Sequence, residues 1–126
     1  MKKKITALVM AAAMCLSFAA CGSDNGGNTA KDTYTVGICQ LVQHQALDAA
    51  TQGFKDALKE ELGDKVEFVE QNAANDIPTC GTICNGFVSD GVDLILANAT
   101  PALQAAVSAT QSIPILGTAV TEYGVA

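Results

Sequence analysis

The sequence predicts an α/β fold of Rossmann-like type, because two kinds of segment alternate along residues 34–117. Four short runs are rich in β-branched residues, and helix-like stretches separate them. Parallel strands need long crossover connections, usually helices, so this alternation favours a parallel sheet covered on both faces. The predicted strands are Tyr34–Cys39, Val66–Glu70, Val92–Ala97 and Ile113–Gly117.

The first predicted helix runs from about Gln45 to Leu62, where apolar residues recur at helical spacing. Gly63 follows its last apolar residue and is a typical stop signal. One face of this helix should therefore pack on the sheet. The predicted inward stripe is Leu47, Ala50, Phe54, Ala57, Leu58 and Leu62.

Two further helices are predicted from their boundary residues. Asp76 is expected to cap the second, which runs to Asp90 and stops at Gly91. The third begins at Thr100-Pro101 and continues through Ala109, with the Thr100 hydroxyl expected to cap free amides of the first turn.

The N-terminal residues have the layout of a secretory signal. Lys2–Lys4 precede an apolar stretch, Ile5–Met14, that is too short to span a bilayer. Phe18-Ala19-Ala20 then leads into Cys21 and resembles the lipobox of bacterial lipoproteins, although Phe18 replaces the usual Leu, Val or Ile. We therefore expect residues 1–20 to be a signal peptide and Cys21 to be lipidated. A plain cleaved signal is the alternative.

Lipidation would place the chain on the extracytoplasmic face of the cell membrane. Two acyl chains on Cys21 are about what stable anchoring requires. Residues 21–33 are rich in Gly, Ser, Asp and Asn, so they are expected to form a flexible tether rather than a folded segment. Residues 34–126 remain, enough for one small domain.

Charge argues against nucleic acid as a partner. The chain has 7 basic and 13 acidic side chains and a formal net charge of −6. Removing the signal would remove three of the lysines and make the balance more acidic. Phosphate binding needs clustered Lys and Arg, and only 4 basic side chains, against 13 acidic ones, lie outside the signal.

The cysteines are interpreted as small buried hydrophobes. Cys80 and Cys84 share one apolar helix face with Ile83 and Phe87, so both should point inward. A disulfide between positions four apart would break the helix. His44 is the single histidine and no second cysteine pair exists, so neither a metal site nor a cofactor is expected.

The segments beyond the predicted strands favour recognition over catalysis. Ligands of open parallel sheets bind beyond the carboxyl ends of the strands. Those segments carry amides and hydroxyls and almost no charge. Gly37 stands alone, without a dinucleotide fingerprint, and no P-loop is present. We interpret His44 as a polar loop residue near a helix start rather than a catalytic base, and we expect no enzyme.

The start of the third helix is a candidate anion site. Thr100 and the amides of Ala102 and Leu103 lie where helix N-termini attract negative charge. A ligand carboxylate is the expected guest. The alternative is that Thr100 only caps its own helix.

Several segments together resemble the opening of the tryptophan-type substrate-binding proteins of ABC transporters. The resemblance covers Tyr34 to Ala126, with Gln45 as one departure where many relatives have Pro. The segments that carry it are Val36–His44, Ala46–Asp48, Gln52–Phe54, Gln71–Ala73, Val92–Ala97, Ala99–Ala102 and Ile113–Thr121.

The resemblance implies a solute-binding lipoprotein that delivers an amino acid, such as tryptophan or another aromatic one, to ABC permease subunits. Such proteins have two lobes that close on the ligand, and residues 34–126 would form part of the first lobe of a type I periplasmic-binding-protein fold. A lone lobe should bind weakly, because pockets bury most of a small ligand. The expected ligand contacts are Gln40, Gln43, Asn72, Asn98, Thr100 and Thr121, with Thr100 nearest the carboxylate.

An interaction protein is the alternative from a different class. In that interpretation the chain is a short surface lipoprotein that folds alone and contacts a partner protein rather than a solute.

Overall fold

A computed structural model describes residues 31–125, which form a four-stranded parallel sheet with helices on both faces. The predicted α/β class is confirmed. The predicted signal, Cys21 and most of the tether lie outside the described residues. The strands are β1 (Tyr34–Gln40), β2 (Val66–Asn72), β3 (Leu94–Asn98) and β4 (Ile115–Thr118), and the helices are α1 (Gln45–Leu62), α2 (Ile77–Asp90) and α3 (Thr100–Ala109).

The strand order is β2-β1-β3-β4, so the chain starts in the middle of the sheet and builds outward on both sides. Short 3₁₀ turns at Gly63–Lys65 and Tyr123–Val125 complete the regular structure of the described part. None of the helices within residues 31–125 is long and apolar enough to cross a bilayer.

The sheet carries one apolar cluster on each of its two faces. The α1 face contains Val36, Ile38, Val66 and Leu96, against which Phe54 and other α1 residues pack. The opposite face carries the larger cluster, which α2 and α3 cover. Its buried members include Cys39, Cys80, Cys84, Phe87, Ile95, Ala102, Leu103 and Ala106.

The inward stripe of α1 differs from the prediction at two positions. Ala57 is exposed, whereas Thr51 is the buried residue of this helix. Thr51 lies four residues after Leu47 and three before Phe54, so it occupies the centre of the same face. The predicted stripe contained apolar residues only, so it did not include this polar threonine. In the structure, the Thr51 hydroxyl is hydrogen-bonded to Gln40 and Asn98.

The predicted ends of α1 and α2 are confirmed. Asp76 caps α2 by accepting a hydrogen bond from the Thr79 amide at 3.0 Å. Gly91 ends the helix in the left-handed conformation at φ 68°, and Gly63 ends α1 at φ 57°. Both positions favour glycine because a Cβ is disfavoured at positive φ.

Two strands begin later than predicted. The Val92 amide still bonds to the Phe87 carbonyl, so this residue belongs to the turn after α2, and β3 begins at Leu94. The Thr110 hydroxyl accepts a hydrogen bond from the Ile113 amide, and Pro114 has no amide hydrogen to donate. Consequently β4 begins at Ile115.

Gly37 allows α2 to approach the sheet closely. A Cβ at this position would lie 2.7 Å from the Phe87 ring, closer than any real Cβ contact, and Phe87 is almost completely buried. Gly37, which is not part of a dinucleotide-binding motif, therefore has a packing role.

We predict that Gly37→Ala lowers the free energy of unfolding by about 2 kcal/mol, because the ring of Phe87 must shift within a close-packed core. Urea unfolding followed by circular dichroism measures this. Gly81→Ala is the control, since a Cβ there meets no atom within 4 Å. Equal stabilities of Gly37→Ala and the parent chain would contradict the packing role.

Candidate ligand-binding site at the carboxyl edge of the sheet

The register of the sheet aligns four polar residues at its carboxyl edge. Gln40 of β1 pairs with Asn72 of β2 on one side and with Asn98 of β3 on the other, and Asn98 pairs with Thr118 of β4. Parallel strands end at a common edge, so the loops that follow them share one surface. All six residues predicted to contact a ligand lie at this edge, either at the end of a strand or in the segment that follows a strand.

Gln40 and Asn98 have buried side chains that bond to Thr51 of α1. The Thr51 hydroxyl donates to Gln40 Oε1 at 2.7 Å, and Asn98 Nδ2 donates to Thr51 Oγ1 at 2.9 Å. Gln40 is 3 % exposed, Thr51 2 % and Asn98 0 %. The three side chains thus form a polar cluster between the sheet and α1, which we call the Gln40–Thr51–Asn98 cluster.

Further bonds from this cluster fix the first turns of α1. Gln40 Nε2 donates to Asp48 Oδ1 at 2.6 Å and to the Val42 carbonyl at 3.0 Å. Asn98 Nδ2 donates to the Leu47 carbonyl at 2.9 Å. The start of α1 is therefore tied to two strands by side chains that face the helix rather than solvent.

Asn98 retains one unused acceptor. Its Oδ1 is buried and has no hydrogen-bond partner among the described residues. Leaving a buried acceptor unpaired costs about 1–3 kcal/mol. A ligand contact of Asn98, which stays a prediction, would have to use this oxygen, whereas Gln40 has both side-chain polar atoms engaged internally.

The start of α3 differs from the prediction. Ala99, not Thr100, is the N-cap residue, and its carbonyl accepts the first helical bond from the Leu103 amide at 3.1 Å. The expectations that Thr100 caps the helix and that the Leu103 amide is free are therefore wrong. Ala99 has φ 95° and ψ 156°, a region that glycine occupies almost exclusively, so the backbone is strained here.

Thr100, in the first turn of α3, faces Thr121, in the loop after β4. The Thr100 hydroxyl accepts a hydrogen bond from the Thr121 amide at 3.2 Å, and the two hydroxyl oxygens lie 3.2 Å apart. This contact replaces the predicted capping bond. It holds the loop after β4 against the first turn of α3, with two hydroxyls at the surface.

Strained residues follow three of the four strands. Ala74 and Asn75 have positive φ after β2, as does Ala119 after β4, and Ala99 follows β3. Asn72 Oδ1 supports the first of these turns by accepting a bond from the Ala74 amide at 2.7 Å. Such outliers are costly and concentrate at functional sites, which makes this edge the favoured place for ligand binding.

The remaining predicted residues lie on the exposed rim. Gln43 is exposed in the loop after β1. His44 caps α1, with Nδ1 accepting from the Ala46 amide at 3.2 Å, which confirms its interpretation as a polar residue at a helix start. Gln43, Asn72 and Thr121 are thus exposed, Thr100 is half-buried, and Gln40 and Asn98 are buried.

The chemistry available at this edge is hydrogen bonding. Its exposed groups are amides and hydroxyls, the His44 imidazole, and the carboxylates of Asp48, Asp76 and Glu122. Among residues 31–125, no group of three or more His, Cys, Asp or Glu side chains is placed to hold a metal ion. The arrangement can recognise a polar ligand through several weak contacts.

We predict that Thr51→Val lowers the free energy of unfolding by about 2 kcal/mol, although it keeps the volume and the β-branch. The change removes partners of two buried groups, Gln40 Oε1 and Asn98 Nδ2. Thr82→Val is the control, because Thr82 is exposed and makes only a 3.4 Å bond within α2. Urea unfolding measures both variants, and a loss no larger than that of the control would show that the cluster contributes little.

Comparison with known proteins identifies the family of this chain. Residues 35–125 match the family model described as ABC transporter substrate binding protein. A tyrosine-binding protein of Clostridioides difficile (strain R20291) is 42% identical over 132 residues, which cover 95% of this chain and 38% of the relative.

Two solved structures share the fold. One is the ligand-free, open form of a substrate-binding protein with adhesive properties from Clostridium difficile, at 46% identity and a TM-score of 0.71, covering 74% of this chain and 32% of that one. The other is an ABC domain in complex with L-Trp from Streptococcus pneumoniae, at 34% identity and a TM-score of 0.67, covering 71% and 31%.

The chain spans between 31% and 38% of the length of these proteins. The family model nevertheless matches almost all of the described residues, including every strand end at the carboxyl edge. The chain belongs to the family of ABC transporter substrate-binding proteins.

Proposed function

We propose that residues 34–126 form one wall of the solute site of an ABC importer's substrate-binding protein, and that the solute is an amino acid with an aromatic side chain. One similar protein is named for tyrosine binding and another was solved with L-Trp. Both ligands share the α-amino acid group and differ in the aromatic ring. The polar edge described above suits the shared group.

The first turn of α3 is the observation that carries this proposal. Because Leu103 makes the first helical bond, the amides of Thr100 and Ala102 precede it and have no acceptor within the helix; Thr100 is half-buried, and Ala102 is 0 % exposed. Amides at a helix N-terminus favour a carboxylate. The paired hydroxyls of Thr100 and Thr121 lie beside this turn and are suitable donors for the same group.

The loops after β1 and β2 offer acceptors for the ligand's ammonium group. The amide side chains of Gln43 and Asn72 are exposed there, and Asn98 Oδ1 is an unpaired acceptor at the neighbouring strand end. Gln40 is assigned a positioning role, because its bonds to Thr51 and Asp48 hold the start of α1. We therefore propose direct contacts from Gln43, Asn72, Asn98, Thr100 and Thr121.

Delivery to a permease is the role that follows from this family. Family members act outside the cytoplasm with ABC permease subunits, and the proposed signal at residues 1–20 would export the chain. Lipidation of Cys21, with residues 21–33 as a tether, would keep it at the membrane beside the permease. No cofactor or nucleic-acid partner enters this proposal.

Adhesion is a second candidate function. One similar protein is described as having adhesive properties, and a lipid-anchored chain at the cell surface is accessible to protein partners. Solute binding and adhesion need different surfaces, so the experiment on the α3 turn below addresses solute binding alone.

We predict that L-tryptophan and L-tyrosine shift the backbone amide resonances of Thr100, Ala102 and Thr121 in ¹⁵N-labelled residues 22–126. Nuclear magnetic resonance is chosen because one wall buries only part of a ligand, and the weak binding expected of it is still visible. L-Tryptophanamide, which lacks the carboxylate charge, should produce much smaller shifts at the same concentration.

Two controls accompany this titration. Amide signals of Lys59 and Glu67, remote from the carboxyl edge, should not move. Thr100→Val should weaken the response to L-tryptophan several-fold, whereas Thr82→Val on α2 should leave it unchanged. Equal shifts with the acid and the amide would remove the carboxylate site from the proposal.

We predict that Cys21→Ser releases the chain from the membrane fraction into the soluble extracytoplasmic fraction, because the sulfur that carries the acyl chains is absent. Fractionation of expressing cells and labelling with a fatty-acid analogue measure this. Cys15→Ser is the matched control and should retain the label. A Cys21→Ser chain that stays on the membrane would rule out anchoring through this residue.

A further inference from the structure

Three cysteine side chains meet in the core between β1 and α2. Cys39 lies on β1, Cys80 and Cys84 lie on α2, and each is 0 % exposed. All three are free thiols. Solute binding at the carboxyl edge uses none of them, so this cluster raises a separate question.

The packing of α2 on β1 brings Cys39 closest to Cys84. Phe87 lies over Gly37, and α2 runs antiparallel to β1 because it starts from the carboxyl edge. Two residues along the strand advance about 6.6 Å. Along the helix, Cys84 is about 4.5 Å from Phe87 and Cys80 about 10.5 Å. Cys39 therefore lies opposite the segment between them, nearer Cys84, and all three cysteines belong to one buried cluster.

Only pairs that include Cys39 can form a disulfide within this cluster. Cys80 and Cys84 are four residues apart on one helix, where Cβ atoms are about 5–6 Å apart and a disulfide needs about 3.5–4.5 Å. Cys39 faces both from another element. Gly37, two residues before Cys39 on the same face of β1, leaves room for the Phe87 ring of α2 against this strand.

We propose that Cys39 and Cys84 form a redox-active pair that is converted to a disulfide by low-molecular-weight disulfides, with Cys80 remaining a thiol. This modification goes beyond solute binding. It would connect β1 to α2 directly beneath the loop 73–76 of the candidate site, and so restrict the movement of that loop.

The reaction balances through thiol–disulfide exchange. The Cys84 thiolate attacks one sulfur of the external disulfide, forms a mixed disulfide and releases the first small thiolate. The Cys39 thiolate then attacks Cys84 Sγ and releases the second small thiolate. Two protein thiols lose two electrons and two protons, and the small disulfide is reduced to two thiols.

The positions of the two cysteines give them different roles, because Cys84 lies on the helix that opens and Cys39 lies on the central strand β1. Opening of α2 exposes Cys84 to the oxidant first, and the contact with Cys39 lowers the pKa of Cys84, so Cys84 is the favoured attacking group. The same contact, with burial, raises the pKa of Cys39 well above its usual range. Cys39 is therefore suited to the second, intramolecular step, because its closeness to Cys84 compensates for its high thiol pKa.

Local opening of α2 gives the oxidant access to these buried thiols. The helix contains Gly81 and Gly86 in its interior, each about 1 kcal/mol less favourable there than alanine. A Cβ at either position would meet no atom within 4 Å, so packing does not require these glycines. The two glycines therefore lower the free energy that is needed to open α2.

The test is peptide mapping of the reduced full-length chain after incubation with oxidised glutathione in native buffer. Trypsin cleaves after lysine, so Cys39 lies in the peptide 32–55, whereas Cys80 and Cys84 lie together in 66–126. Cys15 and Cys21 lie in 5–31 and do not interfere. Non-reducing mass spectrometry should detect 32–55 linked to 66–126.

Two variants identify the partner of Cys39. Cys84→Ala should lower the yield of the linked peptide about fivefold, whereas Cys80→Ala should leave it near the parent value, because the bridge geometry favours Cys84. The chain in concentrated urea gives the background from random pairing. A yield in native buffer no higher than this background, or equal yields from the two variants, would overturn the proposal.

A third variant tests access without touching a cysteine. Gly86→Ala should slow formation of the linked peptide about fivefold, since alanine strengthens the helix that must open. An unchanged rate would contradict the opening of α2. The measurement needs no solute and no membrane, so its failure leaves the proposed solute binding untouched.

Discussion

The Gln40–Thr51–Asn98 cluster is the interaction on which the candidate site depends. A sheet edge and a helix start are joined by three side chains that are almost inaccessible to water, where hydrogen bonds are strong and unpaired groups are costly. The cluster fixes where α1 begins relative to β1 and β3. Since Gln43 and His44 lie between β1 and α1, their positions follow from it.

The same edge also contains residues with a strained backbone. Ala99 holds a conformation that an alanine adopts only under constraint, and its amide bonds to the Thr118 carbonyl. Strain of this kind persists when the surrounding structure over-determines the geometry. The start of α3 is therefore held in place by neighbouring strands, and the Thr100–Thr121 contact adds a bond from the next loop.

The two faces of the sheet serve different purposes. On the α1 face, a polar cluster continues the apolar core up to the carboxyl edge and positions the candidate ligand groups. On the other face, Gly37 leaves room for the Phe87 ring of α2, and three buried cysteines share the apolar cluster that the redox proposal uses. The proposed solute site and the proposed disulfide thus both involve β1, where the neighbouring residues Gln40 and Cys39 point to opposite faces of the sheet.

The sequence by itself determined the α/β class, the helix stops at Gly63 and Gly91, the Asp76 cap and the inward direction of Cys80 and Cys84, because periodicity and capping are local properties. It also located the carboxyl-edge loops. Only the tertiary structure decided that Thr51 is buried, that Ala99 rather than Thr100 caps α3, and that Gln40 and Asn98 face a helix. Those outcomes depend on partners 11 to 58 residues away in the chain, and no local pattern encodes such contacts.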